Sequence, residues 1–318
     1  MSAFDWLDRI PRARYYSHVI DRQLTHMRTK DQFRKVFPRI FNNAMSDLLA
    51  SRGKLLRPIL TLCASEVGGH RFNALALHSA VAVELLHVSS LVFDDIIDRS
   101  PRRRGSPTVH KKYGTDVAIL TAGMLLIRGL RDMAELKNMR RVGYDTMFKL
   151  TLGEALETRG SIRTEADYLT MIDLKTAALF EAAMRVGGVA NCLGWRVNHR
   201  LAAYGRNLGM AFQLRDDVLD FFGSETKVRK PLWADFRNGK PNYLAVKLCC
   251  GKAHHRSFLM DSPASVRQYA ISKGYVAEAE NLSRKYLERA LAALEGLEDT
   301  PATRCLQQLA DFAFTRER

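Results

Sequence analysis

Two acidic segments with the same spacing are the strongest candidates for chemistry in this sequence. They are DDIID at residues 94–98 and DDVLD at residues 216–220. In a helix, residues four positions apart lie on one face, so the outer carboxylates of each segment project together: Asp94 with Asp98, and Asp216 with Asp220. The second carboxylate of each segment, Asp95 or Asp217, is turned from that face by about 100° and lies at its edge.

Clustered carboxylates of this kind require cations. Two of them about 5 Å apart repel by about 3 kcal/mol at an effective dielectric constant of about 20. Ligands that are all oxygen suit a hard divalent ion, and Mg²⁺ typically keeps waters and bridges to phosphate oxygens. RRRG at residues 102–105 follows the first segment, and arginine binds phosphate strongly. The pattern predicts that the acidic segments hold Mg²⁺, which holds a diphosphate that the arginines also bind.

The alternative is that these aspartates are ordinary surface charges. One acidic segment at a helix end would be weak evidence, because acidic residues are common at exposed helix ends. Here there are two copies, each at the end of a mostly apolar helical segment, and arginines follow the first. This combination favours a functional site.

The segments that carry these aspartates have the residue patterns of helices. Residues 72–98 contain no Gly or Pro and are apolar nearly all round, which predicts a buried helix. Residues 202–222 predict a second one. Further helices and loops are expected elsewhere: helices over residues 175–194 and 275–297, and loops over residues 100–107, 161–165 and 223–241. No run alternates as a strand would, so we predict an all-α fold in a single domain, residues 1–318.

Composition restricts the partners and the compartment. The 318 residues are 47% apolar and carry a net charge of +15, which favours a sizeable core and anionic partners such as phosphorylated metabolites, acidic membranes or nucleic acid. No nucleic-acid-binding motif is present, so we expect no nucleic acid. The five cysteines are scattered, as in a cytoplasmic protein with reduced thiols. Neither a signal peptide nor an uncharged membrane-spanning stretch is found, so we expect a soluble protein that at most touches an acidic membrane surface.

Five motifs, in order, resemble those of the trans (E)-isoprenyl diphosphate synthases, the family that contains farnesyl, geranylgeranyl and long-chain polyprenyl diphosphate synthases. The resemblance runs from about Gly53 to the C-terminus. The motifs are GKLLRP at 53–58, HVSSLVFDDIID at 87–98 followed by RRRG, KTAALF at 175–180, GMAFQLRDDVLD at 209–220 and RKPLWADFRNGK at 229–240.

The resemblance implies a fold, an assembly and a metal site. The implied fold is an isoprenoid-synthase-type bundle of mostly antiparallel helices around a central cavity, in a homodimer. Both acidic segments would face the cavity mouth and bind three Mg²⁺ ions, which Mn²⁺ can replace. The implied direct ligands are Asp94, Asp98 and Asp216, with Asp95, Asp217 and Asp220 in support.

The resemblance also assigns substrate-binding residues for an allylic diphosphate and isopentenyl diphosphate. Those for the allylic diphosphate are Arg103, Lys175, Thr176, Gln213, Lys230 and Lys240. Those for isopentenyl diphosphate are Lys54, Arg57, His87 and Arg104. The implied catalytic set is Asp94, Asp98, Asp216, Arg103, Lys175 and Lys230. Phe212 is expected either to face the allylic cation or simply to pack in the core.

The implied reaction is head-to-tail (1′-4) condensation, with product length set along the helix of the first acidic segment. Ser90 and Ser89 lie four and five residues before Asp94, roughly 6 to 7.5 Å along a helix. In the family a bulky aromatic residue there stops the chain early. These serines and Leu86, deeper along the helix, predict products of C20 or longer. The alternative is that the serines only allow close helix packing.

The sequence departs from the family pattern at Phe93, Met124, Arg229 and GKPNYL, residues 239–244. None of these removes a predicted metal ligand, but the last two affect the lysine segment. Two other functions stay open: a non-catalytic or regulatory subunit of a heteromeric synthase, and a class I terpene cyclase. The second DDVLD argues against the cyclase, which normally carries a different second metal motif.

Overall fold

The computed structural model describes residues 6–30, 38–51, 53–135, 139–222, 240–249 and 263–315. A short 3-10 helix, Leu7–Arg9, comes first. The α-helices are α1 Pro11–Lys30, α2 Arg39–Ala50, α3 Leu56–Glu66, α4 Ala74–Ile97, α5 Val109–Tyr113, α6 Thr115–Ala134, α7 Met139–Thr158, α8 Glu165–Ile172, α9 Ala178–Ala190, α10 Trp195–Phe222, α11 Tyr243–Cys249, α12 Pro263–Ser272, α13 Tyr275–Leu294 and α14 Pro301–Thr315. A π-helical turn, Asp173–Ala177, joins α8 to α9. Strands β1, Arg102–Arg103, and β2, Ser106–Pro107, form the one sheet within the described ranges. The all-α prediction is confirmed.

The chain divides into two compact units. The first consists of Met1–Met147, Ala182–Ala202 and Gly296–Gln308, and the second of Phe148–Glu181, Ala203–Glu295 and Leu309–Arg318. The prediction of one domain over residues 1–318 stays a prediction.

Helix α4 is the main core helix of the first unit. Asn73 begins it as an N-cap, its side chain accepting from the Ala76 N–H at 2.8 Å. The helix packs against α3 and α6. At Gly129 of α6, a Cβ atom would lie 2.8 Å from Leu86 Cδ2, so α4 and α6 approach closely. Among the described helices α4 alone is long and apolar enough to cross a membrane, and 67% of its most apolar window is buried inside the protein.

The second unit has its own apolar core. Helix α11 packs against α8 and α13, and α12 packs against α13. A Cβ atom at Gly209 of α10 would lie 2.7 Å from Ala177 Cα, so α10 approaches the π-helical turn closely. The core side chains include Tyr168, Met171, Leu214, Val218, Tyr243, Leu244 and Val266.

The predicted elements match the structure with shifts at their ends. The predicted helix over residues 72–98 is Ala74–Ile97, and that over 275–297 is Tyr275–Leu294. The helix predicted from residue 202 begins at Trp195, and the segment 175–194 contains part of the π-helical turn before α9. The loop predicted at residues 100–107 contains the β1–β2 hairpin. Residues 223–239 of the predicted long loop lie outside the described residues.

Candidate active site

The first acidic segment lies at the carboxyl end of α4, in the first unit. Asp94 and Asp95 belong to the last turn, and the Asp98 N–H donates to the Asp94 carbonyl oxygen at 2.9 Å. Asp94 and Asp98 are therefore one helical turn apart, as the spacing predicted. The carboxyl end of a helix is the negative end of its dipole. These carboxylates thus occupy a position where added negative charge is unfavourable and a bound cation is favourable.

Arg103 provides one such cation from the protein itself. Its Nε donates to both carboxylate oxygens of Asp95 at 2.8 Å, and its Nη2 donates to Asp94 Oδ2 at 3.1 Å. Asp95 is only 5% exposed, and its burial raises the pKa of the carboxyl, against the opposing effect of Arg103. Arg103, a predicted diphosphate ligand, thus forms one charged cluster with Asp94 and Asp95, two carboxylates that are predicted to bind metal.

The β1–β2 hairpin positions the arginines that follow α4. Arg103 of β1 pairs with Ser106 of β2, and the turn between the strands has a φ of +52° at Arg104 and +82° at Gly105. Positive φ at both central residues is typical of a type I′ turn, and glycine adopts it without strain. The hairpin therefore holds Arg103 at the acidic segment and leaves Arg104 to contact a different part of the unit.

Arg104 packs on the backbone at Gly53. Its Nη1 donates to the Ser51 carbonyl oxygen at 2.6 Å. A Cβ atom at residue 53 would lie 2.3 Å from Arg104 Nη2. The glycine of GKLLRP is explained by this contact, because any side chain there would displace the guanidinium group.

Three of the four predicted isopentenyl diphosphate ligands come together in the first unit. Arg57 Nη1 lies 3.2 Å from His87 Nε2. Desolvation and the positive charges of nearby arginines, Arg57 and Arg104 among them, lower the pKa of His87 well below its usual value. A neutral His87 can accept the hydrogen bond from Arg57, since arginine has no acceptor. The fourth residue, Lys54, is half-buried and lies three positions before Arg57.

Sequence reasoning missed Glu84, a carboxylate on α4 that is 4% exposed. It precedes His87 by three residues and shares its helix face. Burial raises the pKa of the Glu84 carboxyl, while the charges of Arg104 and Arg57 act in the opposite direction. Glu84 therefore lies in the field of the two arginines. Its signal in the sequence is a lone acidic residue within an apolar helix.

The second acidic segment lies on α10, in the second unit. Asp216 is half-buried, whereas Asp217 and Asp220 are 6% and 1% exposed. Asp217 accepts hydrogen bonds from Gln213 Nε2 at 3.0 Å, from the Tyr243 N–H at 2.8 Å and from the Tyr168 hydroxyl. The two acidic segments belong to different units, and it stays a prediction that they share metal ions.

The predicted allylic diphosphate ligands of the second unit form two groups. Thr176 Oγ1 donates to Gln213 Oε1 at 2.9 Å, which joins both residues to the hydrogen bonds of Asp217. Lys175 lies on the π-helical turn, a feature often found at functional sites.

Lys175 and Lys240 meet two glutamates of α7 that sequence reasoning missed. Lys175 Nζ lies 2.7 Å from Glu154 Oε2 and also bonds to Glu157, and Lys240 Nζ lies 3.9 Å from Glu157 Oε2. A Cβ atom at Gly153 would lie 2.6 Å from the Lys175 backbone nitrogen, so α7 contacts the turn closely. The sequence did not single out these glutamates, because the two acids of GEALET, residues 153–158, are three positions apart and do not share the pattern of DDIID and DDVLD.

The structure describes Phe93, Met124 and residues 240–244 among the departures from the family pattern. Asn242 Oδ1 accepts from the Ala245 N–H at 2.7 Å and so caps α11, and the next residue, Tyr243, bonds to Asp217. Phe93 packs in an apolar cluster of the first unit, and Met124 is half-buried on α6. Lys230 and Arg229 lie outside the described residues.

The predicted chain-length residues have unequal surroundings. Ser89 is fully buried, and its Oγ donates to the Ala122 carbonyl oxygen of α6 at 2.8 Å. This bond supports the packing alternative for Ser89. Ser90 is half-buried, and its Oγ donates within α4 to the His87 carbonyl oxygen at 2.8 Å. The buried side chain of Leu86 lies at the close α4–α6 approach.

Phe212 contacts another aromatic ring in the second unit. The centroids of Phe212 and Phe180 are 5.5 Å apart, with the ring planes inclined by 44°. This is ordinary aromatic packing, and it supports the core role that the sequence left open for Phe212. A contact between its ring and an allylic cation stays a prediction.

Comparisons with known proteins identify the family of the chain. Residues 38–270 match the family model described as polyprenyl synthetase. The chain is 31% identical to the geranylfarnesyl diphosphate synthase of Aeropyrum pernix, over 89% of this chain and 96% of the relative. It is 33% identical to heptaprenyl diphosphate synthase component 2 of Geobacillus stearothermophilus, over 85% of this chain and 88% of the relative.

A solved structure extends the comparison to the fold. The geranylgeranyl pyrophosphate synthetase of Pyrococcus horikoshii Ot3 superposes with a TM-score of 0.85 and 29% identity, over 96% of this chain and 98% of that one. The family match covers most of the chain, and it includes both acidic segments, the arginine hairpin and Lys54, Lys175 and Lys240. This chain belongs to the polyprenyl synthetase family.

Proposed function

We propose that this protein is a trans-prenyltransferase that condenses isopentenyl diphosphate head-to-tail with an allylic diphosphate. The observation that carries the proposal is the hairpin after α4. It holds Arg103 on Asp94 and Asp95 and leaves Arg104 on the backbone of Gly53. One short segment thus connects the acidic cluster that is predicted to bind metal with the cluster of Arg104, Arg57 and His87. A reaction between two diphosphate substrates requires a binding site for each of them.

The acidic segments fit Mg²⁺. Their donors are carboxylate oxygens, and those of α4 lie at the negative end of the helix dipole. We assign Asp94, Asp98 and Asp216 as direct ligands, supported by Asp95, Asp217 and Asp220. When bound, Mg²⁺ would neutralise charge that develops on the departing diphosphate.

The chain's own residues bind and orient the two substrates. Guanidinium and ammonium groups hold the diphosphates: Arg103, Lys175, Lys230 and Lys240 for the allylic substrate, with Thr176 and Gln213, and Lys54, Arg57 and Arg104 for isopentenyl diphosphate, with His87. In the reaction the allylic C–O bond breaks and diphosphate leaves with the electron pair. The double bond of isopentenyl diphosphate forms the new C–C bond, and a proton then passes to the departed diphosphate.

We further propose a product of C20 or longer, made in the cytoplasm. The relatives named above are geranylgeranyl, geranylfarnesyl and heptaprenyl diphosphate synthases. The residues near the first acidic segment on α4 are small or modest, and Ser90 Oγ donates within its own helix to the His87 carbonyl oxygen. Contact with an acidic membrane surface stays a prediction.

We also propose a homodimer formed through α6. In the first unit this helix exposes Ile119, Leu120 and Ile127 by 45%, 56% and 68%. Ile127 follows Leu120 by seven residues, so the two lie on one face of the helix. Exposed large apolar side chains in such a row suit burial against a second copy.

A primer series tests the proposed function. The purified protein alone is incubated with Mg²⁺, isopentenyl diphosphate and each allylic diphosphate from C5 to C20, and the dephosphorylated products are analysed by mass. We expect all-trans products of C20 or longer whose formation consumes isopentenyl diphosphate. A cyclic hydrocarbon formed without isopentenyl diphosphate would identify a terpene cyclase. Product only after a second subunit is added would identify a component of a heteromeric synthase; the Geobacillus relative is named component 2.

A further inference from the structure

Asp217 accepts hydrogen bonds from three protein donors. Its Oδ2 accepts from the Tyr243 N–H at 2.8 Å and from the Tyr168 hydroxyl, and its Oδ1 accepts from Gln213 Nε2 at 3.0 Å. A carboxylate has about four lone-pair sites. Three are used by neutral donors, and both Asp217 and Tyr168 are buried, at 6% and 1% exposed.

These hydrogen bonds join four segments of the second unit. Tyr168 comes from α8, Gln213 and Asp217 from α10, and Tyr243 from the start of α11. Gln213 also accepts from Thr176 on the π-helical turn. The rings of Tyr168 and Tyr243 meet edge to face, with centroids 5.8 Å apart, which adds aromatic packing to the contact.

This network includes, or lies close in sequence to, residues assigned to the allylic diphosphate. Thr176 and Gln213 are members of the network, and Lys240 lies three residues before Tyr243. Three residues span at most about 11 Å of chain, so fixing the Tyr243 backbone restricts where Lys240 can reach. Lys240 Nζ lies 3.9 Å from Glu157 Oε2 of α7.

Tyr168 connects α8 to α10 directly. Its hydroxyl donates to Asp217, and its ring is buried among the core side chains of the second unit.

We propose that Asp217 and Tyr168 are positioning residues, which hold Thr176, Gln213 and Lys240 in place for the allylic diphosphate, and that Asp217 acts through these hydrogen bonds and not as a metal ligand. The proposal rests on the proposed function for the identity of the diphosphate. The two adjacent aspartates of α10 then have different roles: Asp216 binds metal, and Asp217 holds the neighbouring diphosphate ligands in place.

Titration calorimetry tests the different roles of Asp216 and Asp217 without measuring turnover. Inorganic diphosphate is titrated into wild-type protein and into the Asp217→Asn, Tyr168→Phe and Asp216→Asn variants, at several fixed Mn²⁺ concentrations. We expect Asp217→Asn and Tyr168→Phe to weaken diphosphate binding about tenfold, because Thr176, Gln213 and Lys240 would no longer be held in position for it. The Mn²⁺ concentration for half-maximal binding should change less than twofold in both, and rise at least tenfold in Asp216→Asn.

Kinetics supply the second readout. We expect Asp217→Asn and Tyr168→Phe to raise the KM for the allylic substrate about tenfold, with less than twofold change in the KM for isopentenyl diphosphate. A rise in metal requirement for Asp217→Asn equal to that of Asp216→Asn would overturn the proposal, as would unchanged diphosphate binding in both Asp217→Asn and Tyr168→Phe. If Asp217→Asn fails to fold, Tyr168→Phe decides by the same measurements. If wild type binds diphosphate but makes no prenyl product, the proposed function fails while calorimetry still decides this inference.

Discussion

At the scale of single residues, Arg103 makes contacts that its sequence position did not reveal. The resemblance assigns it to the allylic diphosphate, and in the structure it donates to Asp94 and Asp95. These contacts reduce the repulsion between neighbouring carboxylates at the negative end of α4. A guanidinium has five donors in a fixed plane, so Arg103 can bind the acidic segment through some of them and a diphosphate through others.

Gly53 gives a direct test of the Arg104 position. We predict that Gly53→Ala raises the KM for isopentenyl diphosphate about tenfold, because the new Cβ would lie 2.3 Å from Arg104 Nη2 and displace the guanidinium group. The KM for the allylic substrate should stay within about twofold of wild type. Gly194→Ala is the matched control, since a Cβ there meets nothing within 4 Å. Equal KM values in Gly53→Ala and wild type would contradict the assignment of Arg104.

His87 determines a pH dependence of stability. Its pKa is lowered in the folded protein, whereas an unfolded histidine has a pKa of about 6.5. Below that pH the unfolded chain binds the proton more readily, so folding stability falls as pH decreases from about 6.5 toward the lowered pKa. We predict that the free energy of unfolding drops less between pH 7.5 and 5.5 in His87→Gln than in wild type, measured by urea denaturation. The same drop in both proteins would show that His87 is not held neutral.

At the scale of elements, the α4–α6 pair is where close packing matters most. Gly129 and Gly123 both lie on α6, but a Cβ at Gly129 would meet Leu86 at 2.8 Å, while one at Gly123 meets nothing within 4 Å. We predict that Gly129→Ala destabilises the protein by about 1–3 kcal/mol through overpacking. Gly123→Ala should stabilise it by about 0.5–1 kcal/mol through helix propensity. Urea denaturation measures both, and equal effects would show that α4 and α6 are not in close contact.

The two serines that are proposed to influence product length differ in their contacts at this pair of helices. Ser89 Oγ bonds to Ala122 of α6, whereas Ser90 Oγ bonds within α4. We predict that Ser90→Phe shortens the main product by at least one C5 unit without loss of folding, as mass analysis of the dephosphorylated products would show. Ser90→Thr is the small-residue control and should keep the wild-type product. An unchanged product in Ser90→Phe would place the stop for the growing chain elsewhere.

Several elements could be predicted from sequence, and their misses have physical causes. The long apolar run was enough for α4, which differs from the predicted range by two residues at its start and one at its end. The start of α10 was missed because WRVNHRL, residues 195–201, mixes polar and apolar residues without a clear face. The β1–β2 hairpin was missed because strands of two residues have no detectable alternation.

The predicted site residues divide in the same way. Asp94, Asp98 and the arginines belong to short local motifs, and spacing alone suggested them. Glu84 and Tyr168 were missed because their partners are distant in sequence: Tyr168 bonds to Asp217, 49 positions away. Pairing between remote segments depends on how helices pack, and local spacing patterns reveal only neighbours on one helix.

At the scale of the whole molecule, a chain with a net charge of +15 is suited to two anionic substrates. Its two compact units each hold one acidic segment, Asp94–Asp98 in the first and Asp216–Asp220 in the second. We predict that both segments act in one reaction, because each alone supplies only part of an oxygen ligand set for Mg²⁺. The measurement that tests this prediction is therefore turnover after one acidic segment at a time is altered.

The most direct test compares kcat/KM for condensation in wild type, Asp94→Ala and Asp216→Ala at saturating Mg²⁺. We predict that each variant loses at least about 10³-fold, since metal ions contribute several kcal/mol to stabilising the leaving group. Asp116→Asn, an exposed carboxylate in the first turn of α6, is the control and should keep wild-type turnover. Wild-type turnover in either Asp94→Ala or Asp216→Ala would contradict the claim that the two acidic segments act together on the substrates' diphosphates.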